Sequence, residues 1–103
     1  MIKVSVYYPR TEGAGFDMDY YVVKHMPMVA ELCGEAVKGW SVDAGIAGGA
    51  PGQPPPNVCV GHILFDSVED FQTYFGPHAP QIMGDIPNYT TIAPVVQISE
   101  VKV

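Results

Sequence analysis

Four segments of the chain have the residue pattern of β-strands, and two others have that of helices. Residues 2–8 alternate strictly between apolar and polar side chains, which is typical of a strand with one buried face. Residues 37–43 and 58–65 are predicted to be the next two strands, and residues 92–102, which alternate loosely, the last. The segment at 58–65 is so hydrophobic that we expect it in the centre of a sheet.

The first helical region is predicted to begin after Asp17, whose carboxylate can accept hydrogen bonds from backbone N–H groups as an N-cap. The side chains of its inward face recur at helical spacing. They are Tyr21, Val22, His25, Met28, Val29 and Leu32. Pro27 has no N–H to donate to the carbonyl of Val23, and it disfavours helical dihedrals at Met26. We therefore expect one helix over 17–25 and a second over 27–35, with a kinked continuous helix as the alternative.

The second helical region is predicted to begin at Ser67. The sequence from Ser67 to Asp70 resembles a capping box, with Asp in the place of the usual Glu. Gly76 and Pro77 are expected to interrupt the helix, and a further turn or two is expected over 78–84. Residues 85–90 are then expected to form an irregular segment that leads to the last strand.

The order of these elements, βαββαβ, predicts an α+β fold. Its obvious solution is the ferredoxin-like arrangement, a four-stranded antiparallel sheet with both helices on one face. A chain of 103 residues is expected to form a single domain, 1–103. The other face of the sheet is then uncovered in a monomer. Its expected members include Tyr7, Trp40, Ile63 and Phe65. An uncovered apolar sheet face indicates a partner, of which a second copy of the chain is the simplest.

Residues 44–57, between the second and third strands, form an unusually long connection that is rich in glycine and proline. Ordinary hairpin loops have about two to five residues. A segment of this kind is interpreted as a lid over a site, as an arm across a dimer or as a mobile loop.

Charge and composition exclude several classes of protein. The net charge is −6 and the five basic residues are scattered, so no basic patch exists to neutralise the phosphates of a nucleic acid. We expect no secretory signal, because the strand pattern begins at Ile2, and no apolar run approaches the ~20 residues of a membrane span. We therefore expect a cytoplasmic protein that binds neither nucleic acid nor membrane. Cys33 and Cys59 are expected to be buried free thiols, with a disulfide as the alternative.

His25 is the leading candidate for chemistry. It is the titratable group on the inward face of the first helical region, and it lies beside the helix irregularity expected at Pro27. Its unperturbed pKa lies near neutrality, so modest surroundings can make it an acid or a base. The alternative is structural, with the imidazole bonded to the carbonyl of Val23 or to another main-chain group.

Tyr7, Tyr89 and Trp40 are candidates to bind and orient an apolar or aromatic ligand, with core or interface packing as the alternative. His62, on the third strand, is interpreted first as a hydrogen-bonded core histidine; the alternative is a ligand-binding histidine that meets His25 across a cavity. No short spacing of His, Cys, Asp or Glu predicts a metal site. No phosphate-binding or dinucleotide-binding motif is present, and no cofactor is predicted.

Four motifs in this order resemble the EthD family, which belongs to the dimeric α/β-barrel superfamily. They are VYYP at 6–9, FDMDYY at 16–21, HMP at 25–27 and MGDIPNY at 83–89. The resemblance implies a ferredoxin-like protomer, a homodimer whose sheets pair face to face, and a cavity between sheet and helices. The founding member is encoded with a cytochrome P450 system that degrades ethyl tert-butyl ether. The superfamily also contains cofactor-free monooxygenases, polyketide cyclases, muconolactone isomerases and haem-degrading enzymes, so fold does not select a reaction.

Residues 72–85 also resemble the corresponding segment of the plant polyketide cyclases of that superfamily. Those enzymes pair a tyrosine with a histidine for an aldol-type ring closure. Tyr74 matches the tyrosine, whereas the histidine position falls on Pro80 and His78 lies two residues away. The sequence therefore departs from the cyclase pattern at a catalytic position.

These observations predict a cytoplasmic homodimer that encloses a small apolar or aromatic molecule, as an accessory that holds or delivers an intermediate for a partner oxygenase. The first alternative is a cofactor-free monooxygenase, cyclase or isomerase. In that case His25 acts as general acid and base, and Tyr7, Tyr89 or Trp40 orients the substrate. The second alternative is a structural or regulatory dimer with no ligand.

Overall fold

A computed structural model of the chain describes residues 1–103. Its four strands are β1 (Ile2–Pro9), β2 (Gly39–Ala44), β3 (Asn57–Phe65) and β4 (Val95–Glu100). They form one antiparallel sheet in the order β2-β3-β1-β4, with Val4 opposite both Ile63 and Ile98. The helical segments follow β1 and β3 in the chain and pack on the same side of the sheet. The predicted α+β, ferredoxin-like fold is therefore confirmed, including the central place of β3.

The first helical region is continuous, and the predicted break at Pro27 is wrong. Helix α1 (Met18–Tyr20) runs into a π-helical turn (Tyr21–His25), then into α2 (Met26–Cys33) and a 3₁₀ turn (Gly34–Ala36). Met26 has helical dihedrals, φ −64° and ψ −40°, and donates its N–H to the carbonyl of Tyr21. The π turn shifts the hydrogen-bond ladder by one residue and leaves Pro27 in the first turn of α2, where a missing N–H costs little. Asp17 is the N-cap, as expected, and its carboxylate accepts from the N–H of Tyr20.

The second helical region begins where its cap predicts. The Oγ of Ser67 accepts from the N–H of Asp70 at 3.0 Å, and α3 (Val68–Phe75) follows. A 3₁₀ turn (Gly76–His78) interrupts the helix at the expected glycine and proline. Helix α4 (Ala79–Gly84) and a last 3₁₀ turn (Ile86–Asn88) complete the layer above the sheet. None of these helices is both long and apolar enough to cross a membrane.

The face assignment of three expected outer residues is wrong. Ile63 and Phe65 are 3% and 0% exposed and belong to the core under the helices. Trp40 pairs with Ile63 and therefore shares that inner face, at the edge strand β2. Because β3 is apolar on both faces, alternation alone does not reveal its phase. The uncovered face carries Tyr7, as expected.

A tyrosine from the helical layer explains why the inner face of β3 includes a glycine. A β-carbon at Gly61 would collide with the hydroxyl of Tyr21, whose ring is fully buried against the strand. Cys59 lies on the same face as Gly61, and Cys33 lies on α2. Both cysteines are buried and free, as the sequence predicts.

The connection between β2 and β3 extends their hairpin. Gly45 donates its N–H to the carbonyl of Val58, and Gly48 donates to that of Gln53. At the base of the loop, the N–H of Arg10 is bonded to the carbonyl of Pro56. The side chain of Ile46 is 93% exposed. No residue between 45 and 56 lines the cavity described below, so the interpretation of this segment as a lid is not supported.

Candidate functional site

A cavity of about 310 Å³ lies between the sheet and the helices. Sixteen residues line it, and no lysine, arginine, aspartate or glutamate is among them. Its floor is formed by inward-facing residues of β1, β3 and β4, including Val6 and Val96. Its roof is formed by the helical layer, including Phe75 and Ile82. An apolar, concave site with few polar groups is the usual form of a small-molecule site.

His25 is the one imidazole in the wall of this cavity. The π turn directs it inward, where it is 4% exposed, so the inward orientation predicted from helical spacing is confirmed. Its ring stacks on that of Tyr21, with centroids 5.3 Å apart and planes 14° from parallel. The irregular helix turn therefore places a titratable group in an apolar wall and fixes the plane of its ring.

Asp85 anchors His25 from behind. It follows α4, and its Oδ2 lies 2.9 Å from Nδ1 of His25. Its other oxygen, Oδ1, accepts hydrogen bonds from the hydroxyl of Tyr20 at 2.7 Å and from the amide nitrogen of Asn88 at 2.9 Å. Burial alone would raise the pKa of Asp85, but the hydrogen bonds from Asn88, Tyr20 and His25 outweigh it and hold that pKa below its usual value. Asp85 is therefore ionised at neutral pH.

The charge and tautomer of His25 follow from this contact. Burial lowers the pKa of His25, and the hydrogen bond and charge of Asp85 only partly oppose that effect. The imidazole is therefore neutral at neutral pH. An ionised carboxylate can only accept, so the single ring proton is assigned to Nδ1. Nε2, on the other side of the ring, is left as an acceptor.

Two tyrosines extend the network beyond Nε2. The hydroxyl of Tyr89 lies 3.4 Å from Nε2 of His25 and 2.7 Å from the hydroxyl of Tyr8. Burial raises the pKa of both tyrosines, so both are neutral phenols at neutral pH. An O–H hydrogen bond is normally 2.5–3.0 Å long. The Tyr89 hydroxyl is therefore bonded mainly to Tyr8, and its contact with His25 is weak.

The other candidates from the sequence do not join this cluster. Tyr7 lies on the uncovered face of the sheet, and Trp40 is 40% exposed at the edge strand β2 without lining the cavity. Tyr74 is 48% exposed and also lies outside the cavity, so the structure does not support a cyclase-like tyrosine–histidine pair there. Of the tyrosines and the tryptophan proposed as ligand contacts, only Tyr89 is close to His25.

His62 does not meet His25, because it lies on the opposite face of the sheet. Its Nδ1 is 2.9 Å from the Oγ of Ser5, and its Nε2 is 3.0 Å from Oδ2 of Asp43. The three side chains have the composition of a hydrolase triad. However, Ser5 and His62 lie on the central strands β1 and β3, whose N–H groups are used in the ladder, Asp43 lies on the edge strand β2, and none of the three lines the cavity beside His25. They therefore lack an oxyanion-stabilising group and a substrate site.

The sequence did not predict the hydrogen-bond network that joins Asp85, Tyr20 and Tyr8 to the surroundings of His25. Asp85 belongs to the MGDIPNY motif at 83–89, but it is 60 residues from His25, and no periodicity connects the two. A carboxylate in an irregular segment after a short helix is the only local signal. No group of three or more His, Cys, Asp or Glu side chains is arranged to hold a metal ion.

Comparison with known proteins supports one family. A model of the EthD domain matches residues 15–93. The chain is similar to an EthD-like protein of known crystal structure from Ralstonia eutropha, with 51% identity and a TM-score of 0.94 over 99% of this chain and 92% of that chain. No curated protein matches the sequence significantly.

Two more distant structures share the fold. An ethyl tert-butyl ether degradation (EthD) family protein from Bacillus halodurans has 16% identity and a TM-score of 0.67, over 98% of both chains. A protein from Arabidopsis thaliana has 10% identity and a TM-score of 0.70, over 100% of this chain and 97% of that chain. At these identities the likeness concerns the fold alone.

Proposed function

This chain belongs to the EthD family, and from that premise we propose that it encloses a small apolar or aromatic molecule in the cavity beside His25. The observation that carries the proposal is the combination of an apolar cavity of about 310 Å³ with one oriented imidazole in its wall. Apolar walls supply the affinity through removal of ligand surface from water. The imidazole supplies a single directional contact that fixes the orientation of the ligand.

General acid–base catalysis is the second candidate, and the contact between Asp85 and His25 favours it. Nε2 of His25 would take a proton from an activated C–H or O–H group of the ligand. The developing imidazolium would then be stabilised by the ionised carboxylate of Asp85, 2.9 Å from Nδ1. This division of roles between a base and an orienting carboxylate distinguishes the enzyme hypothesis from simple binding.

Two substitutions separate the candidates. His25→Gln retains a polar side chain and His25→Ala removes it, while His62→Gln changes the histidine on the opposite face and serves as the control. Affinity is measured by calorimetry with 2-tetralone, a bicyclic ketone with an acidic C–H. Turnover is measured by NMR as the rate of deuterium uptake at that carbon. Loss of exchange with affinity intact supports catalysis, and equal loss of both supports binding.

Two results would contradict the proposal. The first is failure of 2-tetralone, naphthalene and 2-naphthol to bind the wild-type protein. The second is a set of His25 variants that lose thermal stability alone, which would assign the residue a structural role. Binding without turnover would favour a protein that holds an intermediate for a partner oxygenase.

We also propose that the uncovered sheet face joins two copies of the chain. Half-buried apolar residues, among them Tyr7, Val60 and Leu64, lie on this face. Between them, Ser5 bonds His62 and His62 bonds Asp43, so Ser5 and His62 keep their hydrogen-bond partners when the face is covered. Sedimentation should give twice the 11.1 kDa mass of one chain. Leu64→Glu should give the monomer, whereas the control Val68→Glu, on an exposed position of α3, should not.

A further inference from the structure

We infer that the ligand of this cavity is a neutral molecule of about two or three fused rings that donates one hydrogen bond, from an O–H group, to Nε2 of His25. This inference rests on the proposed function, since it names the class of molecule that the cavity selects. It follows from the direction of the hydrogen bonds, from the absence of a cation in the wall and from the size of the cavity.

Asp85, which lies outside the cavity, determines whether His25 donates or accepts a hydrogen bond on the cavity side. Both oxygens of Asp85 accept, because Oδ1 receives Tyr20 and Asn88 while Oδ2 receives Nδ1 of His25. A neutral imidazole with its proton on Nδ1 presents a lone pair at Nε2. The nearest internal donor to that lone pair, the hydroxyl of Tyr89, lies 3.4 Å away and has a much shorter bond to Tyr8. A hydroxyl that accepts from Tyr8 can still donate to Nε2, but a ligand O–H at the ordinary length of 2.5–3.0 Å would be a stronger donor than this 3.4 Å contact. An O–H group of a ligand is therefore the partner that Nε2 favours.

Anions are disfavoured for two reasons. No lysine or arginine lines the cavity, so a carboxylate brought into it would lose its hydration without gaining a counter-charge. The ionised carboxylate of Asp85 also lies directly behind the imidazole and repels a negative ligand. The same carboxylate that prepares Nε2 as an acceptor thus selects against charged ligands.

The size of the ligand follows from the volume. A cavity of about 310 Å³ lies near the lower end of the range for small-molecule sites, about 300–1,000 Å³. This volume is enough for about two or three fused six-membered rings, whereas a single phenol ring would leave most of the cavity unfilled.

Four bicyclic probes of similar shape test the inference on the wild-type protein. They are 2-naphthol, a donor; 1-tetralone, which mainly accepts; naphthalene, which does neither; and 2-naphthoate, an anion. We expect 2-naphthol to bind about fivefold more tightly than naphthalene, as one net hydrogen bond provides. We expect 2-naphthoate to bind more weakly than naphthalene. Affinity for 1-tetralone or 2-naphthoate equal to that for 2-naphthol would overturn the inference while leaving the proposed function intact. Failure of every probe to bind would overturn both.

The substitution Asp85→Asn should reverse the preference of the cavity for a ligand that donates a hydrogen bond over one that accepts. In Asp85→Asn, the remaining oxygen is required by the two donors Tyr20 and Asn88, so the amide nitrogen takes the place of Oδ2. That nitrogen donates to Nδ1 of His25 and moves the ring proton to Nε2. The cavity then offers a donor, so 2-naphthol should lose its advantage over naphthalene and 1-tetralone should gain about fivefold.

Asp43→Asn is the matched control, because Asp43 bonds His62 on the opposite face of the sheet at a similar distance, 3.0 Å. It should leave all four affinities unchanged. Nitrogen-15 NMR of the imidazoles gives a reading that does not depend on ligand. The ring proton of His25 should be on Nδ1 in the wild type and on Nε2 in Asp85→Asn. A proton on Nε2 in the wild type would contradict the inference.

Discussion

The hydrogen bond between the hydroxyls of Tyr8 and Tyr89 should show strong and asymmetric energetic coupling. Both side chains are buried, and their oxygens are 2.7 Å apart. Tyr89→Phe removes the closest partner of the buried Tyr8 hydroxyl and leaves it only the contact with the Tyr21 hydroxyl, which costs about 1–3 kcal/mol. Tyr8→Phe should cost less, because the Tyr89 hydroxyl can then turn to Nε2 of His25, 3.4 Å away.

The double variant removes both hydroxyls at once, so neither residue retains a buried hydroxyl without a hydrogen-bond partner. We expect it to be destabilised by less than the sum of the single variants, with a coupling of about 1 kcal/mol or more. Urea denaturation of the four proteins measures the cycle, and each kcal/mol corresponds to about 4–8 °C in melting temperature for a chain of this size. Additive losses, or a greater loss from Tyr8→Phe than from Tyr89→Phe, would refute the assigned network.

Three further substitutions test other parts of the structure. Gly61→Ala should destabilise the protein by about 1–3 kcal/mol, because its methyl group displaces the Tyr21 hydroxyl, and thermal melting with no loss would show that this contact is loose. His25→Gln should flatten the fall in unfolding free energy that accompanies a fall in pH below about 6.5. In this pH range the histidine of the unfolded chain takes up a proton, whereas His25 in the folded protein, with its lowered pKa, stays neutral. If the pH dependence of the unfolding free energy is the same in His25→Gln and the wild type, His25 is not held neutral. Ser67→Ala should cost about 1 kcal/mol through loss of the cap of α3. It should leave ligand affinity unchanged, because Ser67 does not line the cavity, and a change in affinity would contradict that placement.

Local patterns predicted the elements of this fold because each carries its own signal. The alternation of residues 2–8 and the caps at Asp17 and Ser67 all correspond to features of the structure. The order of elements then limited the topology to the ferredoxin-like sheet. Pro27 was misjudged because a π turn, which has no recognisable sequence signature here, removes the conflict between proline and helix.

The candidate site was predicted only in part, because it depends on contacts between distant segments. Helical spacing placed His25 in the core, and that placement needs no tertiary information. By contrast, tertiary contacts determine which face of the sheet each β3 side chain occupies. A shift of one residue exchanges the two faces, and for this reason His62 lies on the outer face and not in the cavity. Asp85 was missed for the same reason, since only the folded chain brings it to Nδ1 of His25.

The central claim is that the apolar cavity beside a neutral His25 binds a small apolar molecule. Its most direct test is an NMR titration of the labelled protein with 2-naphthol at neutral pH. We predict chemical-shift changes at Nε2 of His25 and at the methyl groups of Ile82 and Val96 in the cavity wall, with no change at His62. Absence of saturable shifts in the cavity, or shifts confined to the face that carries His62, would contradict the account.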